Sequence, residues 1–402
     1  MIEPKRITVD DVVMAYQISE FDDIDTGKAQ PLFHTFPVIN IFREDEPLPE
    51  QELKEKAEED KLLLGRQGVI YEYSETVVPE VVKRLKREGG NLILDEEEWG
   101  KADFNIGLDG STEFLQFSFS DHEVGLTPTT GLISRYGFPC RVPSLERVSI
   151  STKDVKACAE LLEVVAGVDK KDPLSRDAYI YNFTDALEDD MTGMKIAVIE
   201  NFYDMELDQS QQEKFDKMLS VMTEKGAELE AVTLPWEEHI SIVNAYISYA
   251  ESRMTMETIP ADRLDNAESD CKEPDYVELR NYGFGELLLS EEGYEKVYAK
   301  ALKLRSLIKD SYDMLLREYD ILAVPFIPVQ DSPWEFSYNT YALGAEMAGL
   351  PIMAVPMEIC DKEQDLIQEE DYQKVFGMYL IAGANYESKL IKAAYTYEQG
   401  VK

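Results

Sequence analysis

The stretch Met194-Lys195-Ile196-Ala197-Val198-Ile199-Glu200 is a short apolar run, rich in β-branched residues and too brief for a stable helix, so it reads as a strand. Asp208–Lys225 follows as a helix, Gly226 supplies its stop, and Leu229–Leu234 reads as a second strand. A strand, a helix and a second strand in close succession form the unit from which parallel or mixed sheets are built.

The same order recurs in both directions along the chain. Upstream, Val77–Leu85 places valines and a leucine at helical spacing, stops at Gly89-Gly90 and leads into the apolar Leu92–Leu94. Downstream, Lys303–Glu318 reads as a helix feeding the strand Tyr319–Pro325. Ala348–Pro356 reads as a short buried strand, and Tyr386–Gln399 as a closing amphipathic helix. The expected fold class is therefore α/β. No internal repeat and no Pro/Gly/Ser-rich linker divides the chain. Residues 1–402 are expected to form one domain, with a divergent N-terminal region and an acidic, solvated insertion (Arg43–Lys61) within residues 1–76.

With 44% hydrophobic residues over 402 positions, the chain can bury a large core. No apolar run approaches the roughly 18 residues of a membrane-spanning helix, and Met1–Asp10 lacks the charged and apolar regions of a signal peptide. A cytoplasmic protein without membrane contact is expected. Eighty acidic against forty basic residues give a net charge of −40, a field that repels phosphate backbones and disfavours direct nucleic-acid binding. The same field would attract a basic protein partner, or simply keep the chain soluble. Cys140, Cys158, Cys271 and Cys360 show no paired spacing, and His34, His122 and His239 stand isolated, so neither a disulfide framework nor a metal centre is expected. The acidic runs Asp95–Glu98 and Gln368–Asp371 read as solvated loops. No glycine-rich phosphate loop opens a helix, and no cofactor is implied.

Gly125-Leu126-Thr127-Pro128-Thr129-Thr130-Gly131-Leu132-Ile133-Ser134-Arg135-Tyr136-Gly137 resembles the GLKPTYGRVSRYG stretch of the amidase-signature family. Pro143–Val148, Lys153–Val155 and Leu161–Gly167 continue that resemblance in order and spacing. Tyr282–Gly285, Leu302–Lys309 and Ala348–Pro356 are similar to the A-type subunits of glutamyl-tRNA(Gln) amidotransferases within it. The resemblance implies an α/β/α fold around a central mixed sheet. It also implies a serine nucleophile, a bridging cis-serine and a lysine base, because a hydroxyl attacking an amide needs a base within hydrogen-bond reach.

Set against that pattern, the residues required are missing. Counting back from Gly125 aligns Asp109-Gly110-Ser111-Thr112-Glu113 with the family's DTGGS and puts Glu113 at the nucleophile position, where an anion would repel a developing oxyanion. Ser111 or Thr112 could replace it only if the register slipped. The Gly/Ser-rich segment that carries the bridging serine is deleted, since Trp99–Gly107 runs straight into the next strand. Ile41 stands at the lysine position of the best-matching stretch, Thr35–Phe42. With two residues inserted Arg43 takes its place, a guanidinium that cannot act as a base at neutral pH. The resemblance implies a glutamine-binding arginine after Tyr282–Gly285 and an aspartate before the Ala348–Pro356 strand. The arginine-bearing turn is shortened here, leaving Arg280 as the nearby cation, and Asn339 occupies the aspartate position.

Ser120-Asp121-His122 has the side chains of a hydrolytic triad, but neighbours in sequence cannot hydrogen-bond in series, so it reads as a turn. The expectation is a non-catalytic amidase-like protein that binds, scaffolds or regulates, with an amidotransferase-like subunit or a basic protein as partner. The alternative is an amidase or A-type subunit that hydrolyses a carboxamide through a rearranged site built on Ser111, Thr112 and Glu113.

Overall fold

The computed structural model describes Leu63 and residues 66–70, 79–93, 102–177, 182–199, 207–258, 276–326, 340–357 and 376–402. Ile41, Arg43, Asn339 and the acidic insertion at Arg43–Lys61 lie outside these residues.

Among the described residues, ten strands form a mixed sheet in the order β2-β1-β3-β5-β4-β9-β10-β8-β6-β7. The strands are β1 (Gln67–Ile70), β2 (Asn91–Ile93), β3 (Phe104–Asp109), β4 (Val124–Thr127), β5 (Arg147–Thr152), β6 (Lys195–Ile199), β7 (Glu228–Val232), β8 (Ile321–Phe326), β9 (Ile352–Pro356) and β10 (Gly377–Ala382). Both ends of the sheet are parallel, β1 with β2 and β3 and β6 with β7 and β8. The middle, β3-β5-β4-β9-β10-β8, is antiparallel throughout.

Helix α1 (Glu80–Arg87) joins β1 to β2, and α2 (Glu113–Ser120) joins β3 to β4. Helix α3 (Val155–Val165) follows β5, and α4 (Gln209–Glu224) crosses from β6 to β7. Then come α5 (Glu237–Thr258), α6 (Tyr276–Leu289), α7 (Ala299–Leu315), α8 (Thr340–Met347) and the C-terminal α9 (Glu387–Val401). Alternation along the strands divides the core into two layers. On one face Ile106, Leu126, Ile150, Ile196, Met353 and Leu380 pack against α1, α3, α4 and α9. On the other, Ala197, Leu322, Val324, Ile352, Ala354 and Tyr379 pack against α2, α5, α7 and α8. This is the expected α/β/α arrangement.

The expected elements at residues 194–234 fall within two residues of the observed ones. Asp208 caps α4 by accepting from the Gln211 backbone N–H, while the Gln211 side chain accepts from the Asp208 N–H, a reciprocal capping box. Gly226 follows the C-cap Lys225 with φ +97°. Ala348–Leu350, expected as the start of a strand, instead forms the turn that ends α8, and β9 begins at Ile352. Tyr282–Gly285 lies inside α6, where Gly285 sits against α5. A Cβ there would meet the Tyr249 carbonyl oxygen at 2.2 Å.

Candidate functional site

Three adjacent strands depart from the apolar character of the second face. In β3 the sequence Phe104-Asn105-Ile106-Gly107-Leu108-Asp109 alternates, and so does β5, Arg147-Val148-Ser149-Ile150-Ser151-Thr152. Register pairs Asn105 with Ser151, Gly107 with Ser149 and Asp109 with Arg147, so the polar members share one side of the sheet beneath α2. Burying polar groups is costly unless each finds a partner. Ser151 Oγ donates to Glu123 Oε2 at 2.6 Å and Asn105 Nδ2 to the same oxygen at 3.0 Å, while Thr127 Oγ1 and Ser149 Oγ lie 2.6 Å apart.

At the end of this polar strip lies the loop Asp109–Glu113, where the sequence resemblance expects the nucleophile motif. Asp109 is buried at the end of β3, and its Oδ1 accepts the Ser111 N–H at 3.2 Å. Thr112 is fully buried at the N-cap of α2 with φ +65°, a left-handed conformation that costs a β-branched residue about 1–2 kcal/mol. The sequence resemblance sets it against a glycine of that motif, a residue for which such a backbone would be unstrained. Thr112 Oγ1 accepts from Gln116 Nε2 at 3.3 Å. Glu113 is the first residue of α2, and its side chain is exposed. Ser111 is half-buried. The three candidates Ser111, Thr112 and Glu113 are thus adjacent but turn to different surroundings.

Arg147, at the start of β5, is buried, with Nη1 donating to the carbonyls of Pro128 (2.9 Å) and Leu350 (2.7 Å). Its Nη2 lies 3.9 Å from Glu346 Oε1 on α8, and both side chains are sealed from solvent. Asp109 Oδ2, Arg147 Nε and Nη2 and both Glu346 carboxylate oxygens have no protein hydrogen-bond partner. Burial pushes the Asp109 carboxyl up to about 6, against the lowering effects of the Ser111 N–H and the Arg147 charge. Burial also raises Glu346 well above the usual carboxylate range, reinforced by Asp109 and opposed by Arg147 and the Thr112 N–H. Glu387 on α9 is raised by burial too, though it accepts the Thr129 N–H at 2.8 Å.

A second buried arginine borders this cluster. Arg305 on α7 donates through Nε to the Met347 carbonyl (2.8 Å), through Nη1 to Ser144 Oγ (2.6 Å) and through Nη2 to the Ser144 carbonyl (2.8 Å). Glu251 Oε2 accepts the Ser144 N–H at 2.8 Å. The segment Ser144–Arg147 is therefore clamped from α5, α7 and α8. Sequence reasoning passes over Arg147, Glu346 and Arg305. The period-two alternation of β3 and β5 was the available signal, since it marks a face that is not plain core.

Ser120, Asp121 and His122 form the end of α2 and the turn after it, with His122 at φ +53°. Among the described residues no group of three His, Cys, Asp or Glu is placed to hold a metal, and no helix is long and apolar enough to cross a membrane. A cavity of about 330 Å³ between α4 and α9, floored by Met218 and Tyr397 with Lys217 at its rim, lies on the opposite face of the sheet from the polar strip.

A sheet of this topology, with the 125–137 stretch crossing it beside a polar strip under α2, defines an amidase-type scaffold. The chain belongs to the amidase family, whose model matches residues 121–391. It is 32% identical over 297 residues to the A-type subunit of the glutamyl-tRNA(Gln) amidotransferase of Clostridium novyi, covering 69% of this chain and 59% of that one. It is 30% identical to the corresponding protein of Lachnospira eligens, covering 69% and 60%. The chain thus spans about three-fifths of the length of these relatives. Among solved structures, the A-type subunit of the glutamyl-tRNA(Gln) amidotransferase from Thermotoga maritima superposes with a TM-score of 0.67 at 22% identity, over 84% of this chain and 83% of that one. The peptide amidase of Stenotrophomonas maltophilia gives 0.61 at 18%, over 84% and 82%. At those identities the structural likeness speaks for the fold.

Proposed function

We propose that this chain is an amidotransferase A-type relative that serves as a binding subunit without cleaving amides. The observation that carries the proposal is the state of the loop Asp109–Glu113: position 113 presents an exposed carboxylate, while the Ser111 backbone donor is already taken up by Asp109. The Thr112 N–H faces Glu346. An oxyanion needs free, preorganised donors, and here carboxylates already stand before them. Relatives named as subunits of an amidotransferase support a protein partner, either an amidotransferase-like subunit or, given a charge of −40, a basic protein.

A second reading, hydrolysis of a carboxamide by a rearranged site, is favoured by the family match and by the hydroxyls of Ser111 and Thr112 beside Glu113. One experiment separates the two. Purified chain is incubated with glutamine, asparagine and simple amides, and ammonia release is compared with that of Ser111→Ala, Thr112→Ala and Glu113→Ala. The binding reading expects no release above the variants. Turnover that any of the three substitutions abolishes would establish the second reading instead.

A further inference from the structure

We propose that Asp109, Arg147 and Glu346 form a proton-holding latch, in which one proton shared between the two carboxylates keeps the loop Asp109–Thr112 and the end of α8 packed on a single guanidinium. The geometry begins with a charge mismatch. Asp109 from β3, Glu346 from α8 and Glu387 from α9 face one cation, Arg147 from β5; Glu113 from α2 adds a further negative charge and Arg135 a more distant positive one. Arg147 Nη1 is consumed by two carbonyls, and Glu387 is engaged by the Thr129 N–H. Nε and Nη2 of Arg147 are then left to balance both Asp109 and Glu346, and these are the atoms without protein partners.

Two ionised, buried carboxylates cannot both be neutralised by the single charge of one guanidinium. Retaining one proton removes the excess charge and supplies an O–H donor to an acceptor that otherwise has none. The raised values of Asp109, about 6, and of Glu346 agree with this. Both groups exceed their unfolded values, so their contribution to stability is complete below the unfolded carboxylate range and is lost as pH rises through the folded value. The latch holds in mild acid and loosens as pH rises past the folded value of the pair, about 6 for Asp109. It ties the loop Asp109–Thr112 to α8, so this end of the polar strip becomes the pH-responsive part of the fold. This holds whether or not the chain cleaves amides.

The test is urea unfolding of the full chain between pH 5 and pH 8.5 for wild type, Asp109→Asn and Glu346→Gln, repeated at high salt to screen the general repulsion of an acidic surface. From pH 5 up to the pH at which the folded pair releases its proton, the wild-type unfolding constant should rise with each pH unit by up to about tenfold more than that of Asp109→Asn, the increment expected for one retained proton. Hydrogen exchange at Ser111 and Thr112, corrected for intrinsic base catalysis, should accelerate over the same range in wild type and not in the variant. Should Asp109→Asn fail to fold, Glu346→Gln reads the same linkage. Parallel pH curves for wild type and a folded variant, at both salt concentrations, would overturn the latch.

Discussion

Arg147 on β5 and Glu346 on α8 approach to 3.9 Å with both side chains sealed from solvent, a separation that is an ion pair without a direct hydrogen bond. The pair joins strands and helices far apart in sequence, and in a dry interior its worth depends on neither partner being left alone.

Replacing Arg147 by methionine therefore strands Asp109 and Glu346 as buried acids. The variant should lose about 3–5 kcal/mol of stability at neutral pH by urea unfolding. The double variant Arg147→Met/Glu346→Leu should recover a large share of that loss, since an apolar pair of similar volume leaves no stranded charge beside α8.

Gly131, in the stretch that marks the family, has φ +85°, and a Cβ there would lie 2.0 Å from the Leu174 carbonyl oxygen. Backbone cannot rotate away as a side-chain tip can. Gly131→Ala should cost about 1–3 kcal/mol, seen as a lower thermal midpoint, and should loosen the Arg176 N–H to Gly131 carbonyl bond in hydrogen exchange.

Cys140 and Cys158 are buried, and burial pushes both thiols upward; for Cys140 the Glu146 charge adds to it. The thiolate is the reactive form. Neither residue should be alkylated by iodoacetamide at pH 8 in the native protein, and both should react fully in denaturant, as read by peptide mapping.

Glu113→Ser places a hydroxyl where the sequence resemblance expects the family's nucleophile. It should restore no amide hydrolysis, because residue 113 faces solvent and the Ser111 N–H remains bonded to Asp109. Ammonia release indistinguishable from wild type is the expected result.

The elements read best from sequence are those with a local cause. β6, α4 and β7 follow from an apolar run, a capping box at Asp208 and a left-handed stop at Gly226. The stretch 125–137 carries the fold class because its glycines answer to specific close approaches, as at Gly131. The polar strip was harder to see. Asp109 enters a sequence reading only as the first residue of a motif, and nothing local says that Arg147 and Glu346, 199 residues apart by their numbers, meet behind it. The place of Gly285 inside α6 is likewise set from a distance, by the close approach of α5.

The Arg305 fork has a consequence for the order of assembly. One guanidinium holds Ser144, 161 residues before it, and Met347, 42 residues after it. Until the chain is synthesised past α8, the segment Ser144–Arg147 lacks one arm of its clamp, and closing a loop that long is slow compared with forming the local β6-α4-β7 unit. The clamp on Ser144–Arg147 is therefore complete only once α8 is in place, and lysine at 305, with no planar fork, could not span all three acceptors at once.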